Sequence, residues 1–409
     1  MGAVEKERKE AFLSLLKSSP TVQPPCPHVT DGCGGCLLQQ YPYEDQARAK
    51  ELYLESVYKR PMRLHAATDP LGYRSRMDYV CAFGKMGLRK RGRYAQVIDV
   101  KDCLLLPDFA RAAYREAREF LLASGLTPYN YIRHEGFLRY LVVRASHATR
   151  QVMLIATTVL PKTPDDEHRV HDVLEGLLTL TQKHGVVSVH WTISDAMTDL
   201  SVGEEYWHCG EEGIIDEIAE SRFLITPQTF FQGNTLMASV LFDRSMRFVR
   251  GDVLDLYCGV GVLAILAAQE DDVGSVVGVE MNARSISMAN DNMRRNGVTA
   301  DKCAFVCADA AAYLASEVGK RHFNTIICDP NRPGLGPTGC ALLIAYAPER
   351  IIYISCNPLS HIEDLARLCT AYDIIELEGY DLFPQTPHIE VLSVLAKRPP
   401  VPAQSASVE

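Results

Sequence analysis

From about Phe223 onward the chain alternates short apolar runs with longer amphipathic stretches, and this rhythm limits the fold more than any other feature. Val253–Tyr257, Ser275–Val279, Ala304–Cys307, Thr325–Cys328, Ile351–Ser355, Ile374–Leu377 and Ile389–Ala396 read as strands. Val262–Gln269, Ala283–Asn296, Ala310–Val318 and Leu359–Thr370 read as helices between them, while Thr325–Cys328 runs into a loop. Strands buried on both faces and joined through helices make a doubly wound parallel sheet, because parallel neighbours need a crossover. The earlier part differs. Met77–Phe83, Gln96–Val100, Leu138–Ala145, Gln151–Thr157 and Val187–Ile193 are strands, with helices only at Asp108–Ala123 and Asp165–His184, which indicates an antiparallel or mixed α+β sheet. The boundary falls near residue 220. The expected units are 1–40 (a helix to about residue 20, then a cysteine loop), 41–220, 221–398, and a disordered tail 399–409. A helix at 43–59 has a face that could pack on the catalytic unit.

Asp255-Leu-Tyr-Cys-Gly-Val-Gly261 closes the first strand of the doubly wound region and opens a helix. Gly259 and Gly261 permit a tight turn and close approach of a ligand to the backbone. Glu280 ends the next strand, where a carboxylate can hold ribose hydroxyls. A nicotinamide dinucleotide fits this pattern less well than S-adenosylmethionine, since Ala264 stands where a third glycine is usual. Asp329, in Cys-Asp-Pro-Asn-Arg-Pro-Gly334, lies at the mouth of such a sheet, although it could simply cap a helix. Cys356, in Ser-Cys-Asn-Pro358, stands between a strand end and a helix start, where the helix N-terminus favours thiolate. Glu390 enters the sheet beside that strand and is placed to act as a base. Gln232 and Asn234 offer amides to a ligand or a helix end.

The 13 cysteines form an odd number, which points away from a disulfide framework. Cys303, Cys307, Cys328 and Cys369 sit in apolar runs and read as packed thiols. Cys26, Cys33 and Cys36 crowd into one glycine-rich loop, with Cys103, or else Cys81, as the fourth ligand of a zinc ion or an iron–sulfur cluster. No run approaches the roughly 20 apolar residues of a membrane span, and the N-terminus lacks signal-peptide character, so a cytoplasmic monomer is expected. The net charge of −9 opposes generic nucleic-acid affinity, but Lys59 to Cys103 carries eleven Lys or Arg against four Asp. Such a local stripe can bind RNA, or be a solvated hairpin.

Taken together, the cysteine loop, Tyr73-Arg-Ser-Arg76, Gly136-Phe-Leu-Arg139, Phe230-Phe-Gln-Gly-Asn234, the Asp255 turn, the Asp329 motif, Ser-Cys356-Asn-Pro and His388-Ile-Glu390 resemble the RNA 5-methyluridine methyltransferases. The resemblance implies a Rossmann-like methyltransferase domain, an α+β RNA-recognition domain and an N-terminal iron–sulfur segment. It implies a 4Fe–4S cluster on Cys26, Cys33, Cys36 and Cys103. S-adenosylmethionine or the target base would meet Gln232, Tyr257, Glu280 and Asp309 or Asp329. Cys356 would be the nucleophile and Glu390 the base. No β-barrel of the kind some members carry precedes the cysteine loop, which favours 23S ribosomal RNA over the tRNA T-loop as substrate.

Overall fold

The computed structural model describes residues 10–196 and 199–399, so residues 400–409 of the expected tail and the first part of the expected N-terminal helix lie outside the described residues. The strands in chain order are β1 (Arg63–His65), β2 (Arg76–Ala82), β3 (Lys85–Lys90), β4 (Arg93–Asp99), β5 (Leu138–Ala145), β6 (Val152–Thr158), β7 (Val186–Ile193), β8 (Glu204–Gly210), β9 (Ile214–Ile218), β10 (Ser221–Ile225), β11 (Gly251–Leu256), β12 (Val273–Glu280), β13 (Cys303–Cys307), β14 (Thr325–Cys328), β15 (Arg350–Ser355), β16 (Tyr372–Tyr380) and β17 (Glu390–Lys397).

β2 to β8 form a seven-stranded sheet in the order β4-β3-β2-β5-β6-β7-β8. Only β6 and β7 are parallel, and helix Pro164–Thr181 makes the crossover between them. That helix and Asp108–Ala123 cover one face, where Tyr114, Leu121, Leu174 and Leu177 pack with Leu141, Leu154 and Trp191. On the other face Val80, Val142 and Ile155 pack with Phe223, Leu241 and Leu263 of the second half. β5 and β6 are therefore buried along their whole length, which explains the apolar runs Leu141–Val143 and Val152–Ala156 within them. Each such Val or Ile contributes about 1.5–3 kcal/mol by leaving water, so the two halves share a core rather than a hinge.

The second sheet has eight strands in the order β1-β16-β17-β15-β14-β11-β12-β13. All neighbours are parallel except where β17 meets β15 and β16. β11 has β12 on one side and β14 on the other, so the strand order reverses there and a crevice opens beyond the carboxyl ends of β11 and β14. Asp255, Asp329 and Cys356 stand at the ends of β11, β14 and β15, around that crevice.

Several expected elements differ. Helix residues 10–15 give way to a turn at 16, and Phe12 and Leu16 plug into the core beneath Tyr53. Helix Tyr43–Tyr58 and β1 join the eight-stranded layer, with β1 extending it beside β16. The stretch after β14 contains helix Gly336–Tyr346, whose Gly-Pro-Thr-Gly start reads as a loop although Pro suits the first helical turn. The β9–β10 hairpin and β3 are short, polar-interrupted pieces without a clear period. Among the expected packed thiols, Cys303 and Cys328 are buried, but Cys307 is exposed and Cys369 half-buried. Cys307 lies on β13, the sheet's edge.

Candidate active site

The Asp255 turn is built around backbone that side chains resist. Tyr257 adopts a left-handed φ of 67°, Gly259 a φ of 53° and Gly261 a φ of 84°. A Cβ on Gly261 would come within 2.7 Å of the Phe305 ring, whereas one on Gly259 would meet nothing within 4 Å. Gly261 is thus fixed by helix–strand packing, and Gly259 borders open space that a ligand can enter. The Asp255 carboxylate is fully buried, and neither oxygen has a hydrogen-bond partner among the described side chains. Burial, the Asp329 charge and, more weakly, Glu280 push its pKa well above the usual carboxylate range. Glu280 closes β12 with its Oε1 accepting from the Asn282 amide at 2.9 Å. Three carboxylates facing one crevice repel each other unless a cation and hydrogen-bond donors arrive. S-adenosylmethionine, with a sulfonium, an ammonium and two ribose hydroxyls, matches that requirement, so the residues present fit the group.

Cys356 and Glu390 are brought together by sheet register. β15 and β17 pair antiparallel with Ser355 opposite Val391, so the next residues along, Cys356 and Glu390, face each other across the strand ends. Asn357 caps helix Pro358–Leu368 by accepting from the Leu359 amide. The thiol nevertheless does not follow the helix-end expectation. Burial first, then the Glu390 and Asp329 charges, push Cys356 up to about 11, and the nearby Arg332 offsets them only in part. Burial likewise pushes Asp329 up to about 7. One of the two carboxylates that crowd the thiol, Asp329, also borders the crevice where the cation would sit.

Gln232 forms another wall. It lines a broad cleft with Arg74, Arg76, Phe230, Phe383 and His388. The Ser75 hydroxyl donates to the Gln232 carbonyl at 2.9 Å, and the Ser75 amide to Gly233 at 3.0 Å. Arg144, buried, donates to the Thr226 and Thr229 carbonyls, both at 2.7 Å. Tyr73 donates to the Pro384 carbonyl at 2.9 Å. The Tyr73 motif therefore ties the linker carrying Gln232 and the loop leading to Glu390 onto the seven-stranded sheet. Asn234 is a helix cap, accepting from the Met237 amide and donating to the Leu382 carbonyl. Asp309 is also engaged as a cap, accepting from the Ala312 amide at 2.9 Å, although it lies beside Tyr257.

The cysteine loop sits beside the same cleft. Cys26, Cys33, Cys36 and Cys103 are all buried and line one small pocket, while Cys81 is not among its lining residues. Gln39 bridges the loop, donating to the Cys36 Sγ at 3.1 Å and accepting from the Cys26 amide at 3.2 Å. Arg91 donates to the Cys36 carbonyl at 2.6 Å, and Gly34 approaches the Arg89 carbonyl so closely that a Cβ would lie 2.6 Å from it. Part of the basic stripe is thus spent holding this loop, and Arg89 is paired with Asp199 at 2.7 Å. Among the described residues no three of the four Sγ atoms lie within 4.8 Å of one another. Thiolates around a single zinc ion, with bonds of ~2.3 Å, sit roughly 3.8 Å apart. Four buried thiols around one small pocket are a donor set that fits a zinc ion or an iron–sulfur cluster.

The sequence reading gave Asp255 no role beyond its motif, and it passed over Arg332, Phe383 and Lys50. Arg332 lay in plain view between Asp329 and Cys356. Lys50 carried no signal: its ammonium is wholly buried against Asp381 at 2.6 Å, linking helix Tyr43–Tyr58 to the loop before Glu390.

The strand order, the crevice at its reversal and the carboxylate-ringed glycine turn define a methyltransferase. The tRNA (uracil-5-)-methyltransferase family model matches residues 217–398. A tRNA (uracil(54)-C(5))-methyltransferase of Pyrococcus furiosus is 33 % identical over 96 % of this chain and 91 % of its own length. That of Pyrococcus horikoshii is 32 % identical with the same shares covered. The crystal structure of Pyrococcus abyssi tRNA (uracil-54, C5)-methyltransferase in complex with S-adenosyl-L-homocysteine superposes with a TM-score of 0.76 at 29 % identity, covering 89 % of this chain and 86 % of that one. The chain belongs to this family of S-adenosylmethionine-dependent RNA uracil-5-methyltransferases.

Proposed function

We propose that this enzyme methylates carbon 5 of a uridine in tRNA, with Cys356 as nucleophile and Glu390 as base. The observation that carries the roles is the register of β15 on β17, which sets the thiol and the carboxylate opposite each other at the crevice that Asp255, Glu280 and Asp329 also border. Uracil carbon 5 is a weak nucleophile until a group adds to carbon 6. Cys356 sulfur bonds to carbon 6 and the ring electrons shift to an enolate. S-adenosylmethionine, held by Tyr257, Gly259, Gly261, Glu280 and Asp329, supplies the methyl group from its sulfonium. Glu390 then takes the carbon 5 proton, the carbon–sulfur bond breaks, and the thiolate is restored.

The base reaches Cys356 only outside its stack, so the target is a flipped nucleotide. The cleft between the two sheets, with Arg74, Arg76 and Lys90 on one side and the 75 %-exposed Phe230 at its mouth, suits a phosphate backbone with an unstacked base. Cys26, Cys33, Cys36 and Cys103 would hold the 4Fe–4S cluster, whose contribution is architectural: it fixes the loop that forms one rim of this cleft. The Pyrococcus relatives named for tRNA uracil 54 align over 91 % of their own length, which supports tRNA over the expected 23S ribosomal RNA. Transcribed tRNA and 23S fragments given to the enzyme with labelled S-adenosylmethionine test the choice. Label at a tRNA uridine carbon 5 is expected, and label confined to 23S RNA overturns it.

A further inference from the structure

We propose that His190, Glu205 and His208 form a second metal site, for a borderline divalent cation of the Zn2+ type, on the face of the seven-stranded sheet turned towards the methyltransferase half. His190 on β7 lies directly opposite His208 on β8. The register slips between Trp191 and Thr192, bringing Glu205 opposite Thr192. This bulge returns Glu205 to the histidine face, while Trp191 and Trp207 occupy the other and pack on His171 of helix Pro164–Thr181. His190 Nδ1 is 2.8 Å from Glu205 Oε1, and His208 Nδ1 is 3.3 Å from the same oxygen. The two rings stack 5.1 Å apart at 23°. All three donor atoms fall within 4.8 Å of one another.

Two imidazole nitrogens and one carboxylate oxygen are the donors of a three-ligand zinc site with an open position, whereas Mg2+ and Ca2+ select all-oxygen sets. His190 is fully buried and its Nε2 has no partner among the described residues, so the ring is committed through its Nδ1 edge. Glu205 faces a cleft shared with Gln228, Asn282 and Arg284, which gives an ion a way in. β8 is one of the two edge strands and the most exposed of its sheet. An ion bridging β7 and β8 pins that edge next to Glu204, whose ion pair with Arg284 at 2.6 Å reaches helix Ala283–Arg295 of the other half.

The site is tested on the full-length protein, its cysteine site left as purified, by titration with Co2+ alone. We expect one ion per chain, a visible d–d band without sulfur-to-cobalt charge transfer, and a Co2+-dependent rise in Tm. H208A and E205Q, both at solvent-facing positions, should melt like the parent in chelator yet bind Co2+ at least about tenfold more weakly. Equal affinity in parent and variants, a charge-transfer band marking cobalt on cysteine, or no uptake at millimolar Co2+ (a hydrogen-bonded triad only) overturns the proposal.

Discussion

Four buried cysteines and the half-buried Cys356 differ in their surroundings in a way that assigns their work. Cys26, Cys33, Cys36 and Cys103 line one small pocket, with Gln39, His28 and Tyr79 as polar neighbours and apolar Leu88, Val100 and Leu105 around them. Cys356 faces carboxylates and an arginine at the mouth of a ligand crevice. Burial raises every one of these thiols, Cys33 to about 11 and Cys36 to about 12, so thiol acidity alone cannot separate them. Neighbours can. Converging soft donors suit a cluster, while a thiol among proton-carrying groups beside an open crevice suits covalent chemistry.

Exchanging the two roles by mutation is the harshest way to break this contrast. Cys356→Ala should lower methylation by roughly 10⁴-fold or more while leaving Tm and S-adenosylmethionine binding near those of the parent. Cys103→Ala should instead lower Tm and iron content together, with activity falling only as the folded fraction falls. Calorimetry, iron analysis and labelled methyl transfer on both variants check the pair, and a stable, inactive Cys103→Ala would erase the distinction. Next in size, Glu390→Gln should cost about 10²–10⁴-fold in turnover and accumulate a denaturation-resistant protein–RNA adduct, seen as a shifted band. Lys50→Met leaves Asp381 charged and buried, so it should destabilise the protein by about 3–5 kcal/mol in denaturant titration, with KM for RNA shifted more than KM for S-adenosylmethionine.

The smallest effect sharpens the contrast by pH. Because Cys356 is raised to about 11, its thiolate fraction, and so its alkylation by iodoacetamide, should rise about tenfold per pH unit from neutrality towards that value. Glu390→Gln removes a neighbouring negative charge and should shift the profile to lower pH. Peptide-resolved mass spectrometry separates Cys356 from the exposed Cys307.

The sequence-based reading reached furthest where a strand end fixes a residue's position. Asp255, Asp329 and Cys356 terminate strands of a parallel sheet, and such a sheet exposes its carboxyl ends at one edge. The direction of the Cys356 shift was missed because the helix-end argument is local, while Asp329 and Glu390 arrive from other strands. The Lys50–Asp381 pair was invisible for the same reason: a buried ion pair leaves no periodicity. Cys103 was legible only as one of two choices, and its burial beside the other three thiols depends on how β4 runs into the segment before helix Asp108–Ala123. Helix Gly336–Tyr346 was hidden by its glycines, and the edge position of Cys307 by the apolar residues around it.

The central claim is that Cys356 adds to carbon 6 of the target uracil. RNA carrying 5-fluorouracil at the target position offers no carbon 5 proton for Glu390 to remove, so turnover with S-adenosylmethionine should stop at the bonded state. Nuclease trimming and tandem mass spectrometry should then place a methylated fluorouridine on the Cys356 peptide and on no other. A stable adduct on a different cysteine, or complete turnover of natural RNA by Cys356→Ala, would contradict the account.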